Sequence, residues 1–263
     1  MGNTARYVTV VILAAGMGKR MNSDQAKVLQ KILGKPMVLY VVETAQKVGN
    51  EVITVIGNQA DKVREVISQH AENIKFAFQD RQLGTAHAVM CALKHISDDT
   101  GHVLILCGDV PLIRPATISR LLDDHLGARR DLSLLAVEMD NPSGYGRVLF
   151  DENRQLCGIV EEADATEGEK NIKTINTGIY CVKKDFLFRS LAQITTDNVQ
   201  GEFYLTDIVK IGFRGCESIG LTVAKDYREV MGVNTLEHLL KVETLMRDRL
   251  QLPVDSKKNK RVP

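Results

Sequence analysis

Apolar runs alternate with helix-like segments through the first half of the chain, and this alternation most narrows the folds open to it. Val8–Leu13, Val52–Ile56, Ile74–Phe78, Val103–Cys107 and Leu132–Val137 read as strands. Most run apolar without a period-2 pattern, as strands do when both faces are covered. Between them lie helical segments: Pro36 to about Val48 with Gly49 just past its end, Gln59–His70, Thr85–His95 and Pro115–Leu126. Proline in a first turn and glycine after a last turn are the expected punctuation. The order predicts an α/β protein with a parallel sheet covered on both faces. Such sheets bind ligands beyond the carboxyl ends of their strands, so the residues after Leu13, Phe78 and Cys107 carry the interest.

The rhythm changes after about Asp140. Asn141-Pro142-Ser143-Gly144-Tyr145-Gly146 is a turn-rich loop, and short strands follow near Arg147–Phe150, Leu156–Glu161 and Thr174–Tyr180. They read as an antiparallel excursion forming one wall of a cleft. A helix near Tyr204–Phe213 and a strand near Ser218–Val223 come next. From Thr235 to Leu250 the residues Leu236, Leu239, Leu240, Leu245, Met246 and Leu250 largely keep helical spacing. The basic, polar stretch Pro253–Pro263 reads as a disordered tail.

Composition excludes several classes. With 263 residues, 44% hydrophobic and 25% charged, the chain has ample material for one large α/β domain or two small ones. A net charge of +1 gives no global field for nucleic acid or a membrane surface. No apolar stretch reaches the length of a membrane span, and Val8–Leu13 is short for a signal segment. The five cysteines show no C-x-x-C pair, which argues against zinc and for buried thiols in a reducing, cytoplasmic setting.

The first strand opens into Leu13-Ala14-Ala15-Gly16-Met17-Gly18-Lys19-Arg20-Met21, followed by Lys27. Glycines let backbone N–H groups approach phosphate oxygens, and Arg20 and Lys27 supply the countercharge. A P-loop is excluded: Leu13 stands where its first glycine belongs and Arg20 where Ser or Thr belongs. A dinucleotide fingerprint fits Gly16 and Gly18 but fails at Met21. The competing reading is an ordinary strand-to-helix turn with surface bases.

Other candidates carry their own alternatives. Gln79 follows a strand and Gly84-Thr85 opens a helix; an amide can read a nucleobase edge, or Thr85 merely caps the helix. Asp109, in Gly108-Asp109-Val110-Pro111, is placed to hold Mg²⁺, or is a turn aspartate. Asn234, with Glu237 three residues on, resembles a capping box. Gly146, Glu161 and Asn176 form a set suited to sugar hydroxyls, although singly each is a turn or surface residue. The six histidines show no H-x-x-x-H, no G-x-S-x-G is present, and no cysteine stands in evident relation to a histidine. Direct displacement with cationic help is expected, without a covalent enzyme intermediate.

Together these blocks resemble the N-terminal uridylyltransferase domain of the bacterial bifunctional N-acetylglucosamine-1-phosphate uridylyltransferase/glucosamine-1-phosphate acetyltransferase family. The matching blocks are the Leu13–Met21 loop with Lys27, Gln79-x-x-x-Leu-Gly84-Thr85-x-His87, Gly108-Asp109-Val-Pro-Leu, Pro-Ser-Gly144-Tyr145-Gly146-Arg147, Gly-Ile-Val-Glu161, Ile-Asn176-Thr-Gly and Gly-Val-Asn234. They run in order from about Val8 to Leu250.

The resemblance implies a Rossmann-like nucleotidyltransferase fold: a mixed, mostly parallel sheet flanked by helices, with a small antiparallel sugar-binding excursion at about 140–180. The nucleotidyltransferase domain would span 1–233, a C-terminal helix 234–250 and a tail 251–263. It implies uridylyl transfer from UTP to N-acetylglucosamine 1-phosphate, with Mg²⁺ as cofactor. Leu13, Ala14, Ala15 and Gly16 would contact the nucleotide, and Gln79, Gly84 and Thr85 would bind uracil. Arg20 and Lys27 would act on the triphosphate, Asp109 and Asn234 would hold the metal, and Gly146, Glu161 and Asn176 would hold the sugar. The chain departs from the family pattern at Lys19, at Cys107 and in Glu161-Glu162-Ala163. No hexapeptide-repeat acetyltransferase segment is expected in it. The sequence leaves the oligomeric state open. Another base or sugar, or a nucleotide-sugar sensor without catalysis, are the alternatives.

Overall fold

A computed structural model describes residues 7–21 and 23–252. The tail expected at Pro253–Pro263 lies outside the described residues.

The first strand, β1 (Val8–Ala14), is apolar at nearly every position and sits mid-sheet. A small hairpin, β2 (Lys31–Ile32) with β3 (Lys35–Pro36), precedes α1 (Met37–Val48). Then follow β4 (Glu51–Ile56), α2 (Ala60–Ser68), β5 (Ile74–Phe78), α3 (Thr85–Ala92), β6 (His102–Cys107), α4 (Pro115–Gly127) and β7 (Leu132–Glu138). The second half gives β8 (Arg147–Phe150), β9 (Leu156–Val160), β10 (Thr174–Lys183), α5 (Lys184–Leu191), α6 (Asp207–Arg214), β11 (Ile219–Val223) and α7 (Leu236–Arg249).

The nine-stranded sheet has the order β11-β7-β10-β6-β1-β4-β5, with β8 and β9 continuing from β10. β5, β4, β1 and β6 pair in parallel, as do β11 and β7. The sheet is mixed and mostly parallel, as the resemblance implies, because β10 inserts antiparallel between β6 and β7. The excursion expected at 140–180 is narrower than the sequence implies: β8 and β9 form a hairpin that branches from β10, while β10 itself runs through the centre of the sheet. Burial explains the return. Ile175, Ile179 and Cys181 face one core, and Tyr180 and Val182 face the other, all essentially inaccessible to water.

Two cores sandwich the sheet. α1, α2 and α4 cover one face with Val38, Leu39, Val63, Ile67, Ile118 and Leu121. α3, α5 and α6 cover the other with Val89, Phe186, Leu187 and Ile208. A third cluster packs Leu239, Val242 and Met246 of α7 onto Ile32, Met37, Met21 and Val233. Leu236 and Leu240, part of the expected apolar stripe, are instead exposed. No helix among the described residues is long and apolar enough to cross a membrane.

Candidate active site

The site residues collect where β1, β4, β5 and β6 release the chain and where antiparallel β10 begins. The Gly108 N–H donates to the Leu13 carbonyl at 2.9 Å, and the Asn58 N–H to the Ala15 carbonyl at 3.2 Å. Leu13, Ala14 and Ala15 are thus fixed between the ends of β6 and β4, and the chain leaves the sheet at Gly16, which faces open space. Gly18 adopts φ +62°, and a Cβ there would lie 2.6 Å from Lys27 Cβ. The loop therefore needs glycine to let Lys27 pack against it.

Lys27 organises the expected metal ligands. Its ammonium forms an ion pair with Asp109 and donates to Asn234 Oδ1 at 3.0 Å. The Val233 N–H donates to the Asp109 carbonyl at 2.9 Å, which binds the segment before α7 to the loop after β6. The capping box read at Asn234 does not form: Thr235 caps α7, accepting from the His238 N–H at 3.2 Å. Asn234 is thereby released to present its amide oxygen to Lys27. Two oxygen donors converging on one cation are the ligand chemistry Mg²⁺ prefers. Arg20 lies in a 3₁₀ turn, Lys19–Met21, exposed and without an ion-pair partner among the described residues.

A second group surrounds Gln79. This side chain is buried, donating from Nε2 to the Gly84 carbonyl at 3.1 Å and meeting His87 Nδ1 at 3.1 Å. Gly84 takes φ +115°, and a Cβ there would lie 2.5 Å from the Phe203 carbonyl oxygen. Phe203 pairs with this turn through Leu83 and Ala86 at 2.8 and 2.9 Å. Thr85 does not cap α3. Its hydroxyl accepts from the Leu205 N–H at 3.0 Å, tying α3 to the segment before α6.

The third group gathers Gly146, Glu161 and Asn176. The Asn176 N–H donates to the Gly146 carbonyl at 2.8 Å, and Asn176 Oδ1 accepts from the Gly178 N–H at 3.1 Å. A Cβ on Gly146 would lie 3.2 Å from Glu161 Oε2. Burial raises the Glu161 carboxyl above its usual range, reinforced by Asp164, Asp207 and Glu202 and partly offset by the Thr206 hydroxyl, which donates to Oε1 at 3.1 Å. Cys107 donates to the Gly178 carbonyl, and burial pushes its thiol up to about 12.

Sequence reading missed the segment Phe203–Thr206, which touches both the Gly84 turn and Glu161. It assigned Tyr204 to a helix that in fact begins at Asp207. The run Gly201-Glu202-Phe203-Tyr204-Leu205-Thr206, two aromatic residues in a polar loop, was its available signal. Arg147, part of a matching block, is buried beneath the site, 2.7 Å from Glu162 Oε2.

The MobA-like NTP transferase domain family matches residues 10–172. "Bifunctional protein GlmU" of Caldicellulosiruptor saccharolyticus is 43% identical over 92% of this chain and 52% of its own length. That of Caldanaerobacter subterraneus is 46% identical over 91% of the chain and 52% of its own length. The chain thus spans about half the length of these relatives. It spans 71% of the Desulfotalea psychrophila protein of the same name, at 41% identity over 92% of the chain. A crystal structure of a putative glucose-1-phosphate thymidylyltransferase from Bacillus anthracis shares the fold, with TM-score 0.71, 17% identity and coverage of 92% and 96% of the two chains. The chain belongs to the MobA-like NTP transferase domain family and, within it, to the group of the bifunctional GlmU proteins.

Proposed function

We propose that the protein is a sugar-phosphate nucleotidylyltransferase that joins UTP and N-acetylglucosamine 1-phosphate into UDP-N-acetylglucosamine, releasing pyrophosphate. The convergence of Lys27 with Asp109 and Asn234 carries this reading, because it sets a cation and two hard oxygen ligands beside a glycine loop. Asp109 and Asn234 would hold Mg²⁺, which when bound supplies positive charge to the triphosphate. Gln79 and the Gly84-Thr85 turn take the base, and the Leu13–Gly16 backbone takes the nucleoside. Gly146, Glu161 and Asn176 hold the sugar through its hydroxyl and amide groups.

A phosphate oxygen of the sugar 1-phosphate attacks the α-phosphorus of UTP; the bond to the β-phosphate oxygen breaks, and pyrophosphate leaves. Both reactants are anions, so the residues must cancel repulsion and align the attack. Lys27 does so from a largely buried position. Arg20 does so from an exposed turn that closes onto the polyphosphate. No protein nucleophile takes part. The five unpaired cysteines accord with a reducing, cytoplasmic location.

The test is a matrix of UTP, dTTP, CTP and GTP against several sugar 1-phosphates, scored by nucleotide-sugar formation. UTP with N-acetylglucosamine 1-phosphate should give the highest kcat/KM. A different best pair would retain the reaction and replace the substrates; no product from any pair would reject both.

A further inference from the structure

At the opposite end of the central strands, three soft-metal ligands meet that no sequence motif announces. The register of the sheet brings them together. On β6, His102 and Leu104 point to one face. Across the ladder Cys181 stands opposite Leu104, and on the far side Ser133 stands opposite Cys181. α4 packs over this face and inserts His125, which is wholly buried. His125 Nε2 lies 2.9 Å from His102 Nδ1, and His125 Nδ1 lies 2.9 Å from Ser133 Oγ. One ligand atom from each of His102, His125 and Cys181 falls within 4.8 Å of the others, and no other such trio of His, Cys, Asp or Glu occurs among the described residues.

We propose that His102, His125 and Cys181 form a second metal site, for a zinc-class divalent ion, that ties α4 to β6 and β10. Two imidazoles and a thiolate are soft donors that select zinc, cobalt or copper over Mg²⁺. Tetrahedral zinc with bonds of about 2.0–2.3 Å places ligand atoms roughly 3.3–3.6 Å apart. The imidazole nitrogens need to part by a few tenths of an ångström, and the thiol needs to move in by up to about 1.5 Å. Ser133 supplies the outer hydrogen bond that fixes the His125 ring, a common feature of metal-bound histidine. His102 is only half-buried, so the cluster borders solvent on that side. Lys183 lies opposite His102 on the ladder, with its ammonium held by Asp131 at 3.2 Å. Binding replaces the Cys181 S–H bond by a sulfur–metal bond, and the proton leaves to solvent past His102. This site lies on the order of 20 Å from Asp109, since the length of β6 separates them.

The ligands come from β6, α4 and β10, so spacing within the sequence conceals them. The proposal runs against the expectation drawn from the missing C-x-x-C, which argues against zinc.

The test uses the full chain, freed of metal by chelation and then titrated with Co²⁺ and Zn²⁺. One equivalent of Co²⁺ should give a thiolate-to-cobalt charge-transfer band and tetrahedral ligand-field absorption, both displaced by Zn²⁺ and unmoved by excess Mg²⁺. Cys181→Ser should abolish the charge-transfer band, and His102→Gln should weaken Zn²⁺ affinity at least tenfold. Cys216→Ser, which removes an exposed thiol elsewhere, should leave both intact. Because Cys181 is buried, far-ultraviolet circular dichroism must show the variant folded, and His102→Gln serves where it is not. Absence of the band in the parent protein, or its persistence in Cys181→Ser, would overturn the proposal and leave the cluster a hydrogen-bonded histidine pair.

Discussion

Lys27 donates to the side-chain oxygen of Asn234 at 3.0 Å across 207 residues of sequence. The same ammonium pairs with Asp109, so the glycine loop, the end of β6 and the entry to α7 share one charged centre. Without ligands the ammonium satisfies both oxygens. On the proposed reading those two oxygens would hold a divalent ion, and Lys27 would meet phosphate. The arrangement explains why the two expected ligands stand together and why Thr235, rather than Asn234, caps α7.

Asn234→Ala removes one of the two oxygens and leaves the α7 cap in place. The Mg²⁺ concentration for half-maximal rate should rise by about tenfold or more. Far-ultraviolet circular dichroism should stay that of the parent. A metal titration of the steady-state rate checks it.

Arg20→Ala should lower kcat by about 10²–10³, the usual loss on removing one preorganised charge contact. Arg20 is exposed and unpaired among the described residues, so the melting temperature should stay near that of the parent. Near-normal nucleotide-sugar formation would remove Arg20 from the mechanism.

Gly18→Ala puts a methyl group 2.6 Å from Lys27 Cβ and a side chain at φ +62°. Stability should fall by about 1–2 kcal/mol, since a left-handed residue costs about that much. Turnover should fall as well, because Lys27 is displaced. Gly16→Ala meets nothing within 4 Å, and its melting temperature should change less. Thermal melts of the two variants make the comparison.

Glu161 has a carboxyl raised above its usual range, first by burial. A raised folded-state pKa means that this group favours folding most below its unfolded value and loses that contribution as pH rises through the folded value. Glu161→Gln should therefore raise the melting temperature at pH 7, with the gain fading in acid. The same variant should raise KM for the sugar phosphate while sparing that for UTP. Such an exchange of stability for binding marks a functional carboxylate.

How much of this was legible in the sequence depends on the range of the interaction. β1, β4 and β6 were readable because strands buried on both faces leave continuous apolar runs. The insertion of β10 between β6 and β7 was not, because an apolar run does not state its neighbours. The β2–β3 hairpin has two residues per strand, too few for any period. The glycine loop was readable as a local pattern, whereas the Thr206–Glu161 hydrogen bond spans 45 residues and left no local trace. Thr85 and Asn234 were ambiguous for one reason: a polar residue at a helix start reads as a cap until backbone angles show which neighbour takes that role. The side chain of Lys19, a departure from the family pattern, lies outside what the structure describes.

The decisive measurement is pyrophosphate release by the purified chain from UTP and N-acetylglucosamine 1-phosphate, with and without Mg²⁺, beside Asp109→Ala. Release should require both substrates and the metal, yield UDP-N-acetylglucosamine in equal amount, and fall by about 10²-fold or more in the variant. No release from the parent protein, or equal release from Asp109→Ala, would contradict the assignment of this site to nucleotidyl transfer.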